Sequence, residues 1–274
     1  MTELSLLIYT FTLSLYIVAS LLFLLHYKDG AKGIFPYGRM SLRIALLSLT
    51  VLMFVRFFLY GYLPVYTFHE RLLLLTFSAS LCLVLLDIYH PRFRRTFFFV
   101  LPVITMFLLL AAFSPQGGII LLPELKSALL LLHIITIIPA YGALVIAFMA
   151  SIMYLVVDYR LKKKKHVAML GRLPSLDTLD NLNYLLVTVG FLMLTISIIL
   201  GAFWGEQIWG SLWRFAPKET WALVTWLVYA VYLHARLLSG WRGKSIVLLN
   251  IAGFSAINYL VVRFLFSGSL TTFF

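Results

Sequence analysis

Tryptophan and histidine are the residues of this chain whose types and spacing could do chemistry. Trp204, Trp209, Trp213, Trp221 and Trp226 fall within 23 residues, although the whole chain has only six tryptophans. Each indole offers a flat apolar face and a polar N–H edge, which suits a membrane interface and equally suits stacking on a planar ligand. Six histidines supply imidazole, an axial ligand that haem iron takes. The single cysteine, Cys82, lies midway through an apolar run, where it packs as a small apolar residue. A disulfide within the chain and a CxxC redox site are therefore excluded. Crowded rings just ahead of an apolar helix that carries a histidine point to haem.

Composition says where such groups must be held. The chain is 62% hydrophobic and 12% charged, with a mean hydropathy of +1.00, whereas soluble domains carry about 25% charge. Eight apolar spans are expected, near 4–26, 42–60, 72–89, 97–113, 128–157, 183–203, 219–238 and 246–265. At about 1.5 Å per residue each crosses some or all of a roughly 30 Å hydrocarbon layer. The expectation is an all-α integral membrane protein with eight transmembrane helices. The first span is too long, and too weakly basic at its start, for a cleaved signal peptide. Residues 1–274 read as one polytopic membrane domain, in which 1–125 carries few polar groups and 128–265 the histidine, tryptophan and Pro-Lys-Glu elements.

Most of the 22 Lys and Arg residues fall in alternate connections: Lys28, Lys32, Arg39 and Arg43, then Arg92, Arg94 and Arg95, then Arg160, Lys162–Lys165 and Arg172, then Arg236, Arg242 and Lys244. The positive-inside rule makes these loops cytoplasmic and puts both termini and the tryptophan loop on the outer side of the cell inner membrane. The formal charge of +12 is then mainly a topology signal. Its basic cytoplasmic loops are expected to meet anionic lipid, with no nucleic-acid partner.

In that frame the histidines separate. His133 lies about one turn inside the outer end of the fifth span. His234 lies four residues from the cytoplasmic end of the seventh, on one helical face with Thr220, Leu223 and Leu227. An ionisable group within a bilayer is costly, which makes His234 a functional candidate. His26 and His90 cap cytoplasmic helix ends, a position that the helix dipole favours without any metal. Pro91 biases His90 away from helical geometry and leaves His26 the better second inner ligand. His69, beside Glu70 in the second outer loop, is a further outer candidate, and His166 reads as solvated.

The order Trp209-Gly210-x-x-Trp213, Pro217-Lys218-Glu219-x-Trp221 and Leu233-His234-Ala235-Arg236 resembles the tryptophan-rich signature of the CcsA branch of the cytochrome c assembly proteins, a branch that also contains HemX. The likeness covers roughly residues 128–265. It implies that His133 is the outer haem-iron ligand and His234 the inner one. It further implies that haem b, bound non-covalently and transiently, rests against Trp204, Trp209, Trp213, Phe215 and Trp221. The second inner ligand would come from His26, His90 or a CcsB-like membrane partner subunit. Two departures stand out. Phe215 and Ala216 occupy the places of the family's third tryptophan and its aspartate, a change that keeps a ring, loses a carboxylate and removes a helix cap worth about 1 kcal/mol. The tail 267–274 has no histidine where the family carries its other outer ligand, which leaves His69, a methionine, water or nothing as the sixth ligand of an outer site.

Three functions follow. The first is a haem-delivery protein of cytochrome c maturation that presents haem at the outer loop to apocytochrome c. It would act by positioning, within a cytochrome c synthase system, with no catalytic acid or base of its own. The second is a HemX-like membrane regulator of tetrapyrrole synthesis acting on glutamyl-tRNA reductase. The third is a haem-free transporter or structural membrane subunit, whose aromatics are only interfacial.

Overall fold

A computed structural model describes residues 3–30, 33–65, 67–114, 127–163 and 172–266, with the backbone alone for Asp29, Lys218 and 256–266. Every regular element among the described residues is helical: α1 (Glu3–Asp29), α2 (Phe35–Tyr60), α3 (Phe68–Tyr89), a 3-10 turn (Pro91–Thr96), α4 (Phe97–Ala112), α5 (Ala128–Lys162), α6 (Leu176–Trp209), α7 (Pro217–Leu237) and α8 (Lys244–Phe266). Among the described residues, six helices are long and apolar enough to cross a membrane, α4 together with the 3-10 turn before it. The protein is a multi-pass helical membrane protein. The seventh and eighth expected spans fall on α7 and α8.

The helices overrun the apolar spans, because a helix ends at its caps and not where hydropathy falls. At the start of α3, Thr67 Oγ1 accepts from the Glu70 N–H at 3.1 Å while Glu70 Oε2 accepts from the Thr67 N–H at 3.0 Å. That reciprocal pair satisfies two donors that the helix leaves open. Similarly, α6 continues through Trp209 into the segment expected to be loop. It stops at Gly210, whose φ of +67° is a left-handed conformation that glycine adopts without strain. The Gly210 N–H donates back to the Glu206 carbonyl at 2.8 Å. The connection to α7 is thereby cut to residues 210–216.

Two compact units result, one of Met1–Leu122 with Tyr159–Thr178 and one of Pro123–Asp158 with Leu179–Phe274. In the first, α1 packs on α2 and α4, and α3 on α2 and α4. Buried hydroxyls link them: Tyr16 donates to Ser80 at 2.7 Å, Ser20 and Thr105 share a bond of 2.8 Å, and the Tyr9 hydroxyl donates to the Leu108 carbonyl. With no water in a hydrocarbon layer, such interhelical bonds are what polar side chains have left.

In the second unit, Asn250 Nδ2 donates to Ser151 Oγ at 2.9 Å and to Asn183 Oδ1 at 3.0 Å, joining α8, α5 and α6. Phe148 of α5 stacks on Phe254 of α8 at 4.5 Å. Trp226 Nε1 donates to Thr195 Oγ1 at 2.9 Å, so this tryptophan fastens α7 to α6. A buried pair, Arg236 to Asp180 at 2.6 Å, holds the far end of α7, and Asp180 Oδ1 also accepts the Gly243 N–H at 3.1 Å. Trp226, midway along α7, and Arg236, near its end, thus tie this helix to α6, while Pro217, Glu219 and Ala222 of its first turns line a cavity with His133 and Ile137 of α5.

Candidate functional site

His133 sits in the second turn of α5, where its backbone could serve any helix; what singles it out is the wall opposite. Its Nδ1 lies 2.8 Å from the Ser197 carbonyl of α6 and 2.9 Å from the Ser197 hydroxyl. A carbonyl can only accept, so Nδ1 carries the proton and the ring presents its lone pair at Nε2. This is the outer-shell bond that fixes the tautomer and orientation of metal-binding imidazoles. The ring approaches α6 closely because position 201 is glycine: a Cβ there would lie 2.9 Å from His133 Nδ1.

Ser197, Gly201 and Gly205 recur every four residues and form one face of α6. Their lack of bulk opens a cavity of about 400 Å³ lined by His133, Ser197, Gly201, Gly205, Trp204, Trp209, Trp213, Arg214, Pro217 and Glu219, among others. That volume lies within the roughly 300–1,000 Å³ of small-molecule and cofactor pockets. Trp204 and Trp209 meet edge to face at 5.1 Å. The Arg214 guanidinium lies over the Trp209 ring, 3.4 Å from its centre, an arrangement that Arg favours on aromatic faces.

Glu219 organises the connection. Its Oε2 accepts from the N–H of Arg214 at 2.7 Å and from that of Ala216 at 3.3 Å, and Oε1 pairs with Arg214 Nε at 3.5 Å. Ala216 has the extended backbone of an N-cap, φ −60° and ψ 151°, ahead of Pro217. Half of a capping box survives, with Glu219 serving the chain before it and alanine offering nothing in return. A carboxylate therefore still lines the cavity although the family's aspartate is absent.

Of the residues expected to form the outer site, the fold brings His133, Trp204, Trp209 and Trp213 together in this cavity. Phe215 and Trp221 are not among its lining residues. Phe215 has φ +56°, a left-handed conformation uncommon for a bulky residue, and its side chain turns outward, 79% exposed. Trp221 is half-buried on the first turns of α7.

His69 belongs to the first unit and is fully buried there, with Nδ1 at 2.7 Å from the Ala111 carbonyl and its ring 5.8 Å from that of Tyr9. His26, half-buried, lies 5.0 Å from Phe35 ring to ring. His90 ends α3 with φ −134° and ψ 66°, the non-helical geometry expected before Pro91. His234 is exposed and shares its face of α7 with exposed Leu223, Leu227, Val231 and Leu238, while Tyr229, Tyr232 and Arg236 occupy the buried face. His166 and the tail 267–274 lie outside the described residues.

Ser197, Gly201 and Arg214 are the residues that reading for rings and imidazoles passes over, and Glu219 enters that reading only as part of the Pro-Lys-Glu element. The four-residue recurrence of small side chains was the available signal. Among the described residues no three His, Cys, Asp or Glu side chains come together to hold a bare metal ion. A lone imidazole against indole walls instead suits a metal that arrives with its equatorial ligands already in a flat ring. One further atom fits such a guest: Trp204 Nε1 is buried against this space with no hydrogen-bond partner.

The family described as Cytochrome C assembly protein matches residues 6–270. A cytochrome c biogenesis protein CcsA of Guillardia theta is 33% identical over 263 residues, covering 86% of this chain and 85% of its own. The CcsA of Trieres chinensis is 32% identical, covering 89% and 88%. That of Synechococcus sp. (strain CC9902) is 32% identical, covering 82% and 81%. Among solved structures, cytochrome c heme lyase CcmF superposes with a TM-score of 0.64 over 97% of this chain and 49% of its own, at 15% identity. That last likeness is one of fold, and the chain spans about half of the CcmF length. A family match reaching almost from end to end, with CcsA relatives aligned over most of their own length, settles the lineage: the chain belongs to the cytochrome c assembly protein family, in its CcsA branch.

Proposed function

We propose that the chain is a haem-delivery protein of cytochrome c maturation, and that the cavity of its second unit is where haem b is held for transfer. The observation that carries this reading is the joint presence, on one wall system, of an imidazole oriented by Ser197 and of Trp204, Trp209 and Trp213. His133 Nε2 would hold the iron, Trp204, Trp209 and Trp213 would pack against the macrocycle, and the buried Trp204 N–H would offer it a hydrogen-bond donor. Glu219 and Arg214, which also line the cavity, hold the connection in shape. The chemistry itself, addition of cysteine S–H across the vinyl groups, uses thiols brought by apocytochrome c, so this chain contributes position and exclusion of water, with no acid or base of its own.

Eight crossings put both termini and the 210–216 connection on the outer side of the inner membrane and the basic loops on the cytoplasmic side. His234 then lies near the cytoplasmic face as the inner haem ligand. Its exposed stripe of Leu223, Leu227, Val231 and Leu238 is the face that a CcsB-like membrane subunit covers, and that subunit supplies the second inner ligand.

Titration of the purified protein with haem b tests the outer site. In a His234→Ala background, the wild-type His133 should give a Soret band that His133→Gly removes and that millimolar imidazole restores. An unchanged Soret band in the double variant would remove His133 from the site.

A further inference from the structure

In the first unit, where α2 begins and α3 ends, three arginines converge on one acid. Asp87, whose side chain is 3% exposed, accepts from Arg39 Nε at 2.8 Å and Arg43 Nη2 at 2.8 Å through Oδ2, and from Arg94 Nε at 2.6 Å through Oδ1. The Asp87 carbonyl takes a further bond from Arg94 Nη2 at 2.9 Å. The three arginine side chains are 28%, 47% and 30% exposed, so the acid is inside and the arginines lie around it toward the surface. One carboxylate against three guanidiniums leaves two positive charges uncompensated within this group.

A simple ion pair does not need this arrangement. Each guanidinium has five N–H donors in a fixed fork, and Asp87 uses only one or two per arginine, turning the rest away from itself. Like charges this close repel, and the buried acid is what keeps them together. The outward donors are thus pre-ordered for an anion of planar or tetrahedral oxygens. The cluster also has an apolar continuation. From the turn of α2 that carries Arg39 and Arg43, exposed Tyr37, Met40, Ile44, Leu47, Val51, Phe54 and Phe58 follow one another along the helix, with no charge among them.

We infer that Arg39, Arg43 and Arg94, arranged by Asp87, form a binding site for the phosphate of an anionic phospholipid, whose acyl chains lie along that stripe of α2. The shared chemistry is a phosphate oxyanion. Free phosphate would use the arginines alone, whereas the adjoining apolar stripe suits a lipid.

The test uses the purified, delipidated full chain in detergent, with phosphatidylglycerol or phosphatidylcholine added, read by native mass spectrometry and by thermal shift. Wild type should retain phosphatidylglycerol several-fold better than phosphatidylcholine. Arg43→Gln, at the most exposed of the three, should lower that retention roughly fivefold, in keeping with the worth of one arginine near an anionic surface. Arg242→Gln, outside the cluster, should not. Asp87→Asn separates a built site from general attraction. It adds net positive charge, so general attraction predicts tighter binding, while loss of the organising acid predicts weaker binding. If Asp87→Asn does not fold, Arg43→Gln decides. Equal retention by wild type and Arg43→Gln, or tighter binding by folded Asp87→Asn, overturns the site. Displacement of the lipid by millimolar inorganic phosphate overturns the lipid as its occupant.

Discussion

His133 and His69 make the same hydrogen bond in two different surroundings. Both lie near the start of a helix, and both donate from Nδ1 to a carbonyl of a neighbouring helix, Ser197 at 2.8 Å and Ala111 at 2.7 Å. Both rings are thereby held in the tautomer that leaves Nε2 as an acceptor. Yet His69 is fully buried, with Nε2 enclosed and without a hydrogen-bond partner, whereas His133 lines a cavity of about 400 Å³. Orientation by a carbonyl is therefore not what gives a histidine room for a ligand. What differs is the opposite wall. Gly201 withdraws bulk from His133 and Gly205 from Trp209, while His69 is closed in by Tyr9 and Ala111.

Exchanging the two histidines for smaller residues should break the comparison most sharply. His133→Gly should abolish binding of haem b at the cavity while lowering stability by only about 1 kcal/mol, the helix-propensity cost of glycine, since the space it fills is already open on one side. His69→Ala should do the reverse. Haem retention stays, and stability falls by about 1–3 kcal/mol through lost packing, partly offset because an unsatisfied buried nitrogen leaves with the ring. Spectra and thermal melts of the two variants decide it, and haem lost on His69→Ala but kept on His133→Gly would reverse the assignment.

The next effect concerns the wall alone. Gly201→Ala places a methyl 2.9 Å from His133 Nδ1, so the ring must move and its bond to Ser197 with it. Losing such an outer-shell contact costs roughly 10–100-fold in metal affinity. The same substitution raises helix propensity by up to about 1 kcal/mol. A melt that is unchanged or higher, together with weaker haem binding, is the specific signature. Ser197→Ala should do less, a few-fold at most by the same outer-shell logic, because the carbonyl that holds Nδ1 belongs to the backbone and remains.

How far this was legible in the sequence differs from residue to residue. The helical membrane class follows from composition, and the candidate ring cluster follows from the tryptophan spacing, since Trp204, Trp209 and Trp213 do meet at one cavity. Phe215 was expected to offer its ring there and does not. Its backbone is left-handed because Glu219 gathers the N–H groups of Arg214 and Ala216, and a reversal set by a residue four positions on is invisible to a reading of ring types. The helix α6 likewise runs through Trp209 because Gly210 stops it, a cap signal that hydropathy overrides when spans are read by apolar content. Small residues were the subtler loss: Ser197, Gly201 and Gly205 announce themselves by what they lack.

The smallest expected effect lies at Ala216. The chain there is already shaped as an N-cap, with Pro217 at the first helical position and Glu219 returning to the Ala216 N–H at 3.3 Å. An oxygen on residue 216 would accept the Glu219 N–H and complete the box, a gain of about 1 kcal/mol and a rise of some 2–4 °C in Tm for a chain of this size. Ala216→Ser brings the cap without charge. Ala216→Asp brings the cap and a second carboxylate beside Glu219, so mutual repulsion should leave it no more stabilising than serine. Equal haem retention in both would mean that position 216 matters only as a cap. Retention improved by aspartate and not by serine would show that the charge itself acts on the ligand, and that the Glu219 carboxylate does not replace it.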